Sequence, residues 1–259
     1  MARGGEAVVA LGPRVAVWGA LVAVYRAQLS RARVARIPLL FVATFQSVGI
    51  MVLMRGVVDG GGEEARAVVA GSAVLVVAFV ALNLLAQYFG HLRAAGGLDH
   101  YATLPVPGAA VALGTAAAYA SFTVPGVLVV AFVGALLYQL PLGGLWVALA
   151  VVPLVGAALA GLGAALGLLA PRAELATLCG QLGMSAALLL GVLPESRLPE
   201  LARWLRELLP SSYGVDALAV ALDPRPDWGS VVANLTVCAV VGAVALALAT
   251  WAYRRAAVR

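Results

Sequence analysis

With 259 residues, 63% of them hydrophobic and 11% charged, and a mean hydropathy of +1.00, the chain lies outside the composition of soluble domains. It reads as an all-α, polytopic membrane protein. Its 17 basic residues are all Arg, so a Walker A phosphate loop, which requires a Lys, is excluded.

The first segment, Arg14 to Arg36, joins an apolar run from Val15 to Tyr25 to the cationic positions Arg26, Arg31, Arg33 and Arg36. That run is too short for a bilayer, which takes about 20 residues, and no small-residue cleavage site follows it. The pattern predicts an interfacial helix with Trp18, Leu21, Val22, Tyr25 and Leu29 on one face.

Six spans are predicted next: Ile37 to Met54, Ala67 to Phe89, Val106 to Tyr138, Leu142 to Ala170, Leu175 to Leu193 and Ser230 to Ala252. The third exceeds the hydrocarbon thickness, which places its first turns outside the bilayer, with a kink expected at Pro125. The fourth carries Gly163 and Gly167 at GxxxG spacing, a surface for close helix packing. Cys179 and Cys238 fall in apolar runs and read as small buried hydrophobes. The resulting division is a tail and interfacial helix (1–36), spans one to five (37–193), an extracytoplasmic segment (194–229), and span six with its tail (230–259).

Two polar segments interrupt the apolar pattern. Gly90 to Gly108 holds both histidines of the chain. Gly96 and Gly97 free the backbone there, Asp99 can start a helix over Leu98 to Leu104, and Pro105 and Pro107 stop it. Pro194 to Trp228 contains Leu198, Leu201, Leu205 and Leu208 at helical spacing, and predicts two short helices at or within the interface.

Putting the N-terminus inside assigns Arg3, Arg14, Arg26, Arg31, Arg33, Arg36, Arg93, Arg172, Arg254, Arg255 and Arg259 to the cytoplasm, and nine of the 12 acids to the outside. The positive-inside rule therefore predicts two cytoplasmic termini and a cytoplasmic Gly90 to Gly108 segment. The basic excess is a topology signal and does not point to nucleic acid.

No Asp, Glu, Lys, Arg or His occurs within any of the six spans. Ion-coupled transporters and intramembrane enzymes need such groups at depth, so transport energy is expected from outside the bilayer, through an ATPase acting on Gly90 to Gly108.

The run Arg93, Gly96, Leu98, Asp99, Pro105, Val106, Leu113 and Gly114 resembles the segment after the second span of type 2 ATP-binding-cassette (ABC-2 type) exporter permeases. Gly191, Pro194, Leu198, Pro199, Trp204, Leu205, Pro210, Tyr213, Val215, Asp216, Ala217 and Leu218 are similar to that family's extracytoplasmic re-entrant helices before the last span. Asp99, Thr115 and Ala219 depart from the residues usual there. The resemblance implies a drug-exporter-like permease in a bacterial plasma membrane, paired with a second copy of itself and with separate ATPase subunits that carry ATP and Mg; the chain itself holds no cofactor.

On that basis Arg93, Leu98, Asp99, His100, Tyr101, Leu104 and Pro105 are the expected ATPase contacts, with Leu98, Tyr101 and Leu104 as apolar anchors. Pro194, Pro199, Trp204, Pro210, Tyr213 and Asp216 form the expected outer gate. The polar residues within spans, Gln46, Ser47, Asn83, Gln87, Gln181 and Ser185, with Met184, are the candidate substrate path; interhelical hydrogen bonding is the competing use for them. Two other classes remain open at this point, a membrane scaffold or immunity protein and an intramembrane lipid-modifying enzyme.

Overall fold

The computed structural model describes residues 16–31, 33–103, 106–192, 199–200, 204–206 and 209–257, without the side chains of 31, 33–37, 99, 100, 102 and 257. Among these residues there is no strand. In chain order the helices are α1 (Val17–Arg31), α2 (Arg33–Met54), α3 (Glu63–Val77), α4 (Leu85–Ala94), α5 (Gly97–Ala102), α6 (Gly108–Leu137), α7 (Ala148–Leu169), α8 (Ala173–Val192), α9 (Pro210–Ala221) and α10 (Trp228–Ala257). A π-helical stretch, Ala78–Leu84, fuses α3 to α4, and a 3-10 stretch, Leu142–Val147, leads into α7.

Among the described residues, five helical units are long and apolar enough to cross a membrane: Glu63–Ala94, Gly108–Leu137, Leu142–Leu169, Ala173–Val192 and Trp228–Ala256. They correspond to predicted spans two to six. The predicted first span is α2, whose 22 residues rise about 33 Å. Its apolar part, Pro38–Met54, is shorter, because the helix begins in the Arg-containing turn before Pro38. The third span keeps its helix through Pro125.

Span two, Glu63–Ala94, is the axis of the bundle, with 89% of its most apolar window buried. It is flanked by α2, α6, α7 and α8. Small residues make this possible. A Cβ on Gly71 would strike the Gly191 carbonyl of α8, and one on Gly163 or Gly167 would strike the Leu82 or Ala86 carbonyl of span two. The GxxxG surface thus packs within the chain, where backbones meet with no side chain between them.

Helix α1 lies against α6, as a short helix too small to span should. Its buried stripe is Ala20, Val24 and Gln28, while Trp18 is 74% exposed. This stripe is a different side of the helix from the apolar face of Trp18, Leu21, Val22, Tyr25 and Leu29. Close approach to α6 favours small residues at the contact, and Gly114 meets the Leu21 carbonyl and Val24 there.

Successive spans alternate in direction, so the bundle has an α5 end and an α9 end. At the α9 end the buried Tyr138 hydroxyl donates to the Met51 carbonyl at 2.8 Å, and the Gly61 amide donates to the Tyr138 carbonyl at 2.9 Å. Helix α9, with 12 residues, is too short to cross. It is packed among α3, α7, α8 and α10, and is the second of the two short helices predicted there; most of the first, including Leu198, Leu201 and Leu208, lies outside the described residues.

Candidate functional site

At the α5 end, Gly96 takes a positive φ of 69°, which turns the chain from α4 into α5. Arg93 donates to the carbonyls of Leu168 and Ala170. Its cation thus sits on the C-terminal carbonyls of α7, where a helix end favours positive charge. Leu98 is 4% exposed and belongs to the apolar core. Of the expected apolar anchors, this one is turned into the bundle and holds α5 in place instead of presenting a surface. Tyr101 is half-buried and shares a hydrogen bond with Tyr88. The side chains of Asp99 and His100, and residues Leu104 and Pro105, lie outside the described residues.

Behind α5 lies a polar cluster that the sequence reading did not single out. The Gln28 amide donates to the Tyr88 hydroxyl at 2.8 Å and reaches Thr115 Oγ1 at 3.5 Å. Tyr25 donates to Ser121 Oγ at 3.1 Å. Tyr88 packs edge-on to Phe89 and beside Tyr119, with ring centroids 5.3 Å and 5.8 Å away. Gln28 and Tyr88 therefore tie α1, span two and α5 together. The available signal was an amide among apolar and basic residues, legible as polar but not as paired.

The candidate substrate path divides into three groups. Asn83 joins Gln87 to Met184: Gln87 Nε2 donates to Asn83 Oδ1 at 2.9 Å, and Asn83 Nδ2 lies 3.9 Å from the Met184 sulfur. Gly180 leaves room for this, since a Cβ there would lie 3.0 Å from Asn83 Oδ1. Asn83 sits within the π-helical stretch, and such widened turns recur at functional positions. No residue pattern announced it.

Gln181 and Ser185 are exposed on α8, along a stripe with Leu178, Leu182 and Leu189. Neither polar side chain takes a hydrogen bond among the described residues. Cys179, expected to be buried, is exposed beside them, whereas Cys238 is buried as expected. On α2, Gln46 is half-buried, and Ser47 is fully buried with no hydroxyl partner among the described residues. Helix α2 packs on α3 and α6 and has no comparable packing with α8, so Gln46 and Ser47 are not brought into the Asn83 group.

At the α9 end, Pro210 opens α9 at its first position, where a missing N–H costs nothing. Arg206, 8% exposed, is paired with Asp216, and Arg66 at the start of span two is paired with Asp223. Tyr213 packs against the core. Pro199 is exposed and Trp204 is 65% exposed, the latter suiting a membrane interface. Pro194 lies outside the described residues. The two ion pairs line a polar cavity of about 500 Å³ with Glu63, Glu64, Arg225 and Asp227.

A search of the curated proteins found no match. The family described as ABC-2 type transporter matches residues 20–222, a range that takes in most of α1, α2, four of the five long apolar helices and α9, and stops before α10. The chain therefore belongs to the ABC-2 type transporter family, and is a membrane-spanning permease component of an ABC transporter.

Proposed function

We propose that this permease works as an exporter of a hydrophobic or amphipathic substrate, such as a drug, a lipid or a lipid-linked glycan. In this reading two copies form the path, and separate ATPase subunits, which bind ATP and Mg, dock at the α5 end. Both termini and the α5 end face the cytoplasm of a bacterial plasma membrane, and the α9 segment forms the outer gate.

The observation that carries the reading is the exposed Gln181 and Ser185 on α8. An amide and a hydroxyl left without a partner in hydrocarbon are costly, so such positions belong against water or against protein. A cavity between two copies supplies both. The neighbouring Asn83, Gln87 and Met184 then add a soft, uncharged wall suited to an amphipathic molecule.

The test is ATP-driven movement in vesicles that contain the permease and its ATPase, with an amphipathic drug, a lipid-linked glycan and a peptide as alternative cargos. Accumulation of one of them, abolished by withholding ATP, is expected. Binding of the ATPase without movement of any cargo would instead favour a scaffold.

A further inference from the structure

Helix α2 packs closely on α3 and α6 but has only slight contact with α1 and no comparable packing with α4. It therefore splays from span two toward the α5 end. The space left is a groove of about 500 Å³, lined by Leu39, Leu84, Tyr88, His91, Tyr119 and Phe122 among others. Among the described residues, no Asp or Glu lines it.

The groove is graded along its length. Along span two its lining runs from Val80 through Leu84 and Tyr88 to His91 and Ala95, a rise of about 22 Å. The deep part is aliphatic and aromatic. Its α5 end carries His91, which is exposed and makes no side-chain hydrogen bond among the described residues. Basic residues cluster at this same end. Arg26 is exposed on α1, and Arg33 and Arg36 fall in the first turns of α2, just before Leu39.

We propose that this groove binds an anionic phospholipid of the adjoining leaflet, with an acyl chain along Leu39, Leu84 and Phe122 and the phosphate at the His91 end. An apolar trough explains the chain, and the basic positions in the helices at its α5 end explain the charge, since Arg near a membrane surface attracts anionic head groups. The inference rests on the chain being membrane-spanning and is independent of the direction of transport or the identity of the cargo. Its site is also separate from the α8 stripe, so either can fail alone.

The purified permease in detergent, titrated with dioleoyl phosphatidylglycerol or dioleoyl phosphatidylcholine and read by native mass spectrometry, tests it. Wild type should retain phosphatidylglycerol about tenfold better than phosphatidylcholine. Leu84→Trp, which fills the trough, and Ala95→Trp, at its exposed rim, should each abolish that retention. Ala117→Trp, exposed on α6 outside the groove, should leave it intact. His91→Ala should narrow the preference between the two lipids. Ala95→Trp replaces an exposed residue and gives a folded reading even where Leu84→Trp does not. Equal retention of both lipids by wild type, or retention unchanged in Ala95→Trp, would overturn the proposal and leave an ordinary lipid-facing surface.

Discussion

The Gln28 side-chain amide donates a 2.8 Å hydrogen bond to the Tyr88 hydroxyl across 60 residues of sequence. Gln28 is 5% exposed, so this bond replaces water that the amide has lost. Tyr88→Phe should destabilise the protein by about 1–2 kcal/mol, because a buried amide left with a poorer partner retains part of its desolvation cost. Combining it with Gln28→Leu should recover part of the loss, since both polar groups are then gone. Thermal unfolding of the three purified variants checks this. On the proposed reading, both single variants should also weaken the stimulation of ATP hydrolysis by cargo, as Tyr88 is the group joining α1 to Tyr101 of α5.

Glycine substitutions should separate close packing from helix propensity. A Cβ on Gly163 would lie 2.5 Å from the Leu82 carbonyl oxygen, whereas one on Gly49 meets nothing within 4 Å. Gly163→Ala should therefore cost about 1–3 kcal/mol through overpacking. Gly49→Ala, in an open helical position, should gain up to about 1 kcal/mol. Opposite shifts in the unfolding temperature are the expected result.

These positions also show what was legible beforehand. The spans followed from apolar runs close to or beyond the length a bilayer needs, and the Gly163 and Gly167 spacing correctly announced backbone contact. Which helix they would meet was not readable, because span two offers small residues on several faces. Leu98 read as a free anchor because its helical spacing with Tyr101 is real, yet only the tertiary fold decides which side of a six-residue helix faces inward. Arg93 read as a surface cation, but the α7 C-terminus that takes it is remote in sequence. Gln28 and Tyr88 were hidden for the same reason.

Acid should weaken the start of the last span. The Asp227 carboxylate accepts from the Ser230 hydroxyl at 2.6 Å and from the Gly229 amide at 3.0 Å. These bonds, the Ser230 side chain first, hold its pKa below the ordinary value. A depressed folded-state pKa means that the cap stabilises above the unfolded value and is lost as pH falls through the folded one. Wild type should thus be more stable than Asp227→Asn at neutral pH, with the gap closing below the ordinary carboxylate range. Unfolding of both proteins across pH 2 to 7 reads this directly; a gap that does not change with pH would show that charge is not involved.

The α9 end should depend unequally on its two ion pairs. The Arg206 side chain is 10% exposed and Arg66 16%, against 40% for Asp216 and 33% for Asp223. Removing an acid leaves a largely buried guanidinium with a weaker partner, a loss near the lower edge of that for buried pairs because the acids are half wet. Asp216→Asn and Asp223→Asn should each cost about 1–3 kcal/mol, with the former larger. Equal stability of Asp216→Asn and wild type would mean that the pair does not hold α9 in its pocket.

The strongest check on the proposed path lies on α8. Gln181 and Ser185 are four residues apart, so they share one face with the exposed Leu178, Leu182 and Leu189. Lipid alone on that face would leave an amide and a hydroxyl in hydrocarbon. A partner copy and a wet cavity would satisfy both. Cysteines placed there can distinguish the two situations, provided that the exposed Cys179 is first replaced by Ser. In that background Gln181→Cys and Ser185→Cys should react with a membrane-impermeant thiol reagent in at least one nucleotide state, and one of them should form a disulfide-linked dimer on mild oxidation. Leu189→Cys, on the same stripe nearer the α9 end, should crosslink more weakly if the two α8 helices diverge toward the outer gate. Absence of both labelling and dimer at positions 181 and 185 in every nucleotide state would assign the face to lipid, and would move the path to the buried side of span two, where Asn83 joins Gln87 to Met184.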